Sequence, residues 1–347
     1  MAVDVRVLAL NAYLIPSMFV NADNQSCQQQ EVRGAGIGRL IAGNEVDVAV
    51  LQEMWGAAMA QVEAPIAGTH EVLQYCKAWG MGSLVDAAVQ YINRRGGLWM
   101  AYRKTSVDIP HADAETSRRE GCGGHFKPTP VGIVSSMWMT YSFSNTKSKK
   151  GANAVCFDVL QNDLSKRLVV INTHFDPMNT NSAIERQSAE LATFISKVLQ
   201  NPKFVDPSVG AARTSVLLVG DLNTEVNGSD PLAAAVRERL GTATPPNGIT
   251  GAVSGLLAGG KVRDRASRDL YGEFCRTSGS RPGATYTSRE NGLVMWDSHV
   301  RIDWQLAIDR WDNVDFAHVN CKNASLVTQP RGSELSDHWG IQLDLSI

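Results

Sequence analysis

The chain has 347 residues, 44% hydrophobic and 20% charged, which excludes general disorder and allows a large core in one domain or two. Lys and Arg number 33 against 35 Asp and Glu, a formal net charge of −2, which counts against a chain whose main task is gripping a nucleic-acid backbone. No apolar stretch reaches the length of a membrane-spanning helix, and Asp4 and Arg6 break the N-terminal apolar run that a signal peptide needs. A cytoplasmic or peripheral-membrane location is therefore open, and a secreted one if a leader was removed.

Val3, Val5, Val7 and Ala9 alternate and predict a buried strand ending at Asn11. After a polar loop, Ile37, Leu40 and Ile41 fall at helical spacing, so a helix is expected over 33–42. That helix contains Gly34, Gly36 and Gly38, which neither follow a strand closely nor precede a P-loop lysine, so a phosphate loop is excluded. A second buried strand, Val46 to Leu51, ends in Gln52 and Glu53. Helices are expected over 57–62 and 84–92, a strand over 96–102, and a long loop over 108–130.

Val131–Phe143 and Ala152–Leu160 read as a hairpin, with Lys147, Lys149 and Lys150 in a solvated turn between them. Arg167 to His174 is a third strand. Ser182 to Glu185 fits a capping box, and Ile184, Leu191, Ile195, Val198 and Leu199 stripe the helix behind it. Thr214 to Gly220 is apolar and valine-rich, a strand buried on both faces that delivers Asp221 and Asn223. By itself that ending also fits an Asx-turn.

The pattern names no element in the Gly-, Pro- and Arg-rich region 241–283. A strand is expected over 299–308, and a last one through Trp339, Ile341, Leu343 and Leu345. The six cysteines, Cys27, Cys76, Cys122, Cys156, Cys275 and Cys321, lack zinc-site spacing, and Asn24, Asn227 and Asn323 begin glycosylation sequons. No repeat or low-complexity linker divides the chain, so a single domain over 1–347 is expected.

Asn11, Glu53, His174, Asp221 and Asn223 lie at or just past the C-terminal ends of apolar strands. Asp303, Asp337 and His338 lie at or just before the starts of others. Any one of these has an ordinary explanation, but polar groups at matching strand ends of one sheet system converge on one rim.

Leu10-Asn11, Leu51-Gln-Glu53, Asn172-Thr-His174, Gly220-Asp-Leu-Asn223, Arg301-Ile-Asp303 and Ser336-Asp-His338 occur in the order of the endonuclease/exonuclease/phosphatase superfamily. The chain resembles that superfamily from residue 10 to 338. Within it, the chain is most similar to the neutral sphingomyelinases, through Leu10-Asn-Ala-Tyr13, Lys150-Gly151, Arg186-Gln187 and Ala284-Thr-Tyr-Thr287. Trp55 stands where apurinic endonucleases usually carry lysine, and Arg301-Ile-Asp-Trp304 replaces the Trp-Cys-Asp-Arg type of the inositol-polyphosphate 5-phosphatases. The aromatic hairpin of bacterial secreted sphingomyelinases has no counterpart between Trp311 and Leu335, which leaves Met137–Phe143 as a candidate membrane contact.

The resemblance implies a deoxyribonuclease-I-like fold, a four-layer α/β sandwich of two packed mixed β-sheets flanked by helices. It implies a monomeric Mg²⁺-dependent phosphodiesterase, with Mn²⁺ or Co²⁺ as substitutes, that makes a phospholipase C-type cut releasing phosphocholine. The implied partner is a phospholipid at a membrane surface, ahead of nucleic acid. Glu53 would bind the metal, with Asn11 and Asp337 beside it. His338 would be the general base, oriented by Asp303. Asp221 and Asn223 would position the attacking water and a phosphate oxygen, and His174 would donate to a non-bridging oxygen. The alternatives are a nuclease or inositol-phosphate phosphatase on the same scaffold, or a catalytically inactive binding protein.

Overall fold

A computed structural model of the protein describes residues 4–15, 29–55, 58–73, 97–104, 133–142, 150–161, 164–177, 181–205, 210–224, 239–240, 264–294, 298–329 and 333–347. The helix expected over 84–92 and the loop over 108–130 lie outside these residues.

The strands are β1 (Asp4–Leu14), β2 (Val48–Met54), β3 (His70–Leu73), β4 (Trp99–Arg103), β5 (Ile133–Thr140), β6 (Gly151–Gln161), β7 (Leu164–His174) and β8 (Thr214–Asp221). They continue with β9 (Ala266–Asp269), β10 (Tyr286–Thr287), β11 (His299–Val300), β12 (Asp303–Trp311), β13 (Val314–Asp315), β14 (Asn320–Val327) and β15 (Gly340–Ser346). The described α-helices are α1 (Gln30–Gly43), α2 (Ala58–Ile66), α3 (Asn181–Gln200) and α4 (Leu270–Thr277).

A six-stranded sheet runs β14-β15-β1-β2-β4-β3, and a second runs β13-β12-β8-β7-β6-β5 with β9 also paired to β12. Both are mixed: β1–β2 and β7–β8 are parallel, whereas β15 joins β1 and β12 joins β8 antiparallel. The period-two alternation of each strand sorts its residues between layers. Val5, Val7, Val48, Val50, Leu168, Val170, Leu217, Val219, Leu343 and Leu345 fill the space between the sheets. The alternate residues Leu8, Leu10, Ala49 and Leu51 face α1 and α2. On the far side, Val169, Ile171, Val216 and Leu218 face the Ile184, Leu191, Ile195 and Val198 stripe of α3. These are the four layers of the expected α/β sandwich.

The glycines of α1 serve close packing. A Cβ on Gly34 or Gly38 would lie 2.8 and 2.4 Å from the backbone oxygens of Ala58 and Val62 in α2. The expected strand over 299–308 is two strands, β11 and β12, because the backbone N–H groups of Ile302 and Asp303 turn aside to the Thr285 hydroxyl, both at 3.2 Å. The region 241–283, for which the pattern named no element, contains β9 and α4.

Candidate active site

Along the space between the sheets, the side chains change in kind. Valines and leucines at one end give way to the amides Gln52, Asn153, Asn172 and Gln305, and these to Asn11, His174, Asp221 and Asp303. Gln52 Nε2 donates across the gap to Asn172 Oδ1 at 2.7 Å, so one sheet is fixed to the other directly beneath the ionisable groups. Register carries the alignment upward: His174 and Asp303 both pair with Asp221.

Strict alternation would send Glu53 to the helix side with Ala49 and Leu51. Its φ of 54° breaks the alternation. The carboxylate instead reaches the other sheet, where Lys150 Nζ donates to Glu53 Oε1 at 2.9 Å. Lys150 is 1% exposed, so the solvated turn expected at that residue is corrected: it is a buried ion-pair partner. Its ammonium also lies 3.1 Å from His174 Nε2, and 5.6 Å from the centroid of the Trp55 ring. Lys147 and Lys149 lie outside the described residues.

Asp221 is central. Its Oδ2 accepts from Asn11 Nδ2 at 2.9 Å and lies 3.5 Å from His174 Nε2 and 3.9 Å from His338 Nε2. Its Oδ1 accepts from the backbone N–H of Asn223 at 2.8 Å, so the Asx-turn and the site role coexist. Asn223, at φ 46°, turns away and donates its side-chain amide to Phe175 O at 2.8 Å rather than lying beside Asp221. Gly220 cannot carry a side chain, since a Cβ there would lie 1.9 Å from Thr173 O. Burial, then the charge of Asp303, pushes the Asp221 carboxyl up to about 7.

His338 Nδ1 is 2.8 Å from Asp303 Oδ2. Burial disfavours the charged imidazole, but Asp303, Asp337 and Asp221 outweigh it and raise His338 to about 10. Asp337 makes no hydrogen bond to His338 among the described residues. Burial and the charge of Glu53 push its carboxyl up to about 6, against the lowering influence of His338 and Arg33.

Sequence reading assigns Arg33 and Lys150 no role at the site, Lys150 entering only through the Lys150-Gly151 resemblance. Arg33 is 4% exposed and donates to Tyr13 O at 2.8 Å and Leu335 O at 3.1 Å, pinning the segments that follow Asn11 and precede Ser336. Ser336 Oγ in turn donates to Asn11 O at 2.5 Å. The available signal was position: Arg33 shares the helical stripe of Ile37 and Ile41. For Lys150 it was adjacency to Gly151.

Two places can be weighed for a divalent cation. Ligand atoms of Asp221, Asp303 and His338 lie within 4.8 Å of one another. There, both oxygens of Asp221 and Oδ2 of Asp303 are already engaged, while Asp303 Oδ1 is buried with no hydrogen-bond partner among the described residues. At Glu53, Oε2 is buried with no hydrogen-bond partner among the described residues. An orphaned hard oxygen of this kind fits a magnesium-type ligand. Asn11 offers an amide oxygen that accepts only from Tyr13 N, at 3.1 Å, among the described residues. Met137 and Met139 pack partly on the core of the second sheet, while Trp138 is 38% exposed.

No family model and no curated protein sequence matches the chain. Solved structures do. An endonuclease/exonuclease/phosphatase from Bacteroides vulgatus superposes with a TM-score of 0.58 at 14% identity, covering 99% of this chain and 98% of that one. Beta toxin from Staphylococcus aureus gives 0.58 at 13%, covering 98% and 99%. TDP2 from D. rerio, complexed with a single-strand DNA product, gives 0.55 at 15%, covering 99% of both chains. The fold is the deoxyribonuclease-I-like α/β sandwich.

Proposed function

We propose that the chain is a metal-dependent phosphodiester hydrolase of the endonuclease/exonuclease/phosphatase superfamily, cutting a phospholipid head group in the manner of a sphingomyelinase. One observation carries the reading: Asp221 stands between a His338–Asp303 pair and a Glu53 carboxylate with an unbonded oxygen. A proton acceptor and a cation ligand thus share one rim.

Glu53, with Asn11 and Asp337, would hold Mg²⁺. When bound, the ion would neutralise the phosphate, stabilise the leaving alkoxide and, by its charge, favour the neutral imidazole of His338. His338 takes the proton of the attacking water, and Asp303 fixes the ring through Nδ1 and stabilises the imidazolium that forms. Asp221, held by Asn11 and by the backbone at Asn223, orients the water. Lys150 supplies positive charge and His174 a hydrogen-bond donor for non-bridging oxygens, where they act most strongly because both are buried.

The lipid assignment rests on the sphingomyelinase-like motifs around Leu10, Lys150, Arg186 and Ala284. It is tested with sphingomyelin micelles, glycerophospholipids, plasmid and single-strand DNA, and inositol phosphates, each with Mg²⁺ or EDTA. Mg²⁺-dependent release of phosphocholine from sphingomyelin supports it. Cleavage confined to DNA replaces it with the nuclease reading, and EDTA-indifferent hydrolysis removes the metal.

A further inference from the structure

Tyr286 lies beside His338 at the rim, and none of the roles above falls to it. It opens β10, pairs with Val300 of β11, and forms an isolated bridge to the backbone of His338. Its neighbour Thr285 holds both ends of the proton-handling pair. The Thr285 hydroxyl accepts from Asp303 N at 3.2 Å, and its carbonyl accepts from Trp339 N at 2.7 Å. The position of Tyr286 is therefore set by the same backbone that sets Asp303 and His338. Its ring lies 5.0 Å from the His338 ring, centroid to centroid, tilted by 54°.

The chemistry of the phenol is distinctive. It is half-buried, and it takes part in no hydrogen bond among the described residues. Burial first, then the charges of Asp337, Asp221 and Glu53, raises its pKa. It stays a neutral O–H donor at every pH at which histidine chemistry operates. Asn223, the amide expected to position a phosphate oxygen, already gives an N–H to Phe175 O, and Asn11, expected beside the metal, gives one to Asp221. A phosphodiester entering a rim of carboxylates needs donors, and Tyr286 offers an uncommitted one beside His338.

We propose that Tyr286 is a further substrate-contacting residue of this site, its phenol donating a hydrogen bond to a phosphate oxygen while its ring packs against the imidazole of His338. This rests on the phosphodiesterase reading, so the test has one arm that does not require turnover. The full chain with Mg²⁺ is assayed on bis(p-nitrophenyl) phosphate, and inorganic phosphate is titrated calorimetrically.

Tyr286→Phe keeps the ring and removes the donor. It is expected to lower kcat/KM by roughly 10- to 100-fold and phosphate affinity by about 10-fold, the scale of one hydrogen bond to a charged group. Its thermal midpoint and pH profile stay as in the wild type. Tyr286→Leu also removes the packing on His338 and should shift the pH profile as well. A Tyr286→Phe protein matching the wild type in both kcat/KM and phosphate affinity overturns the proposal and leaves the ring as packing. If the wild type hydrolyses no diester, the phosphodiesterase reading has failed, while the titration still decides Tyr286. Weaker phosphate binding in Tyr286→Phe then supports it, and equal binding, or none in either protein, overturns it.

Discussion

In each sheet a parallel pair lies at the centre, β1 beside β2 in one and β7 beside β8 in the other. An antiparallel neighbour enters each sheet from the rim, β15 just after His338 and β12 at Asp303. The two sheets share this plan but present different chemistry. On the second sheet the polar groups bond mostly to one another: both oxygens of Asp221 are bonded and Asp303 Oδ2 is committed to His338, which leaves Asp303 Oδ1 buried without a partner among the described residues. The first sheet offers Glu53 with one oxygen unbonded, and its hydrogen-bonded cation, Lys150, is borrowed from the other sheet. A carboxylate bonded to a histidine suits holding and moving a proton, whereas one whose hydrogen bond comes from a lysine leaves an oxygen for a metal ion.

The largest expected effect lies on the proton side. His338→Ala should lower kcat by roughly 10³- to 10⁴-fold, as expected for losing a general base. Mg²⁺ affinity, followed by calorimetry, should stay near that of the wild type. Near-normal turnover would remove the base assignment, and lost Mg²⁺ binding would place the cation with His338 and erase the contrast between the halves.

Lys150→Met tests the borrowed charge. Breaking a buried pair from one side strands the other charge, at a cost of about 3–5 kcal/mol. Without metal the variant should melt well below the wild type. Mg²⁺ should raise its midpoint more than it raises that of the wild type, since the ion then gives Glu53 the charge it has lost. Equal Mg²⁺ shifts in both proteins would mean that Glu53 is not a metal ligand.

A direct comparison of the halves comes from Glu53→Gln and Asp303→Asn. Glu53→Gln should weaken Mg²⁺ binding by about 100-fold, at or beyond the upper end for losing an outer-shell partner. Asp303→Asn should leave binding intact while impairing turnover. The reverse pattern would move the cation to Asp221, Asp303 and His338.

Much of this is legible in the sequence, and the reason is burial. β1, β2, β7, β8, β12 and β15 are central strands, so their apolar runs are long and their polar ends conspicuous. β14, Asn-Cys-Lys-Asn-Ala-Ser-Leu-Val, is an edge strand with several exposed residues and carries no apolar period to read. β3 and β9 have four residues each, too few to show a period. Within the site, Asn11, His174, Asp221 and Asp303 continue the face of their strands, so alternation finds them. Glu53 reaches the rim only through its left-handed backbone, and Lys150 meets it only because the second sheet packs on the first. Neither depends on a local period.

The smallest effect concerns what the carboxylates of the second sheet do to stability, and its size depends on pH. The Asp221 carboxyl is held at about 7 against an ordinary value of 3.8. Between those values the unfolded chain has released the proton and the folded chain has kept it, so this residue's contribution to stability falls as pH rises through that window and is level above it. His338 follows the same sign at higher pH: raised to about 10 from 6.5, it stabilises the fold fully below 6.5 and loses that contribution as pH climbs through about 10. Asp221→Asn removes the first effect, keeps an acceptor for Asn11, and leaves Asp303 and Asp337 beside His338. In EDTA, the variant should exceed the wild type in stability by roughly 1–3 kcal/mol at about pH 8 and by little at about pH 4, while losing most of its activity. Denaturant melts at the two pH values check this. An equal difference at both would show that the gain, if any, is packing rather than charge, and that the second sheet carries its carboxylates at no cost to the fold.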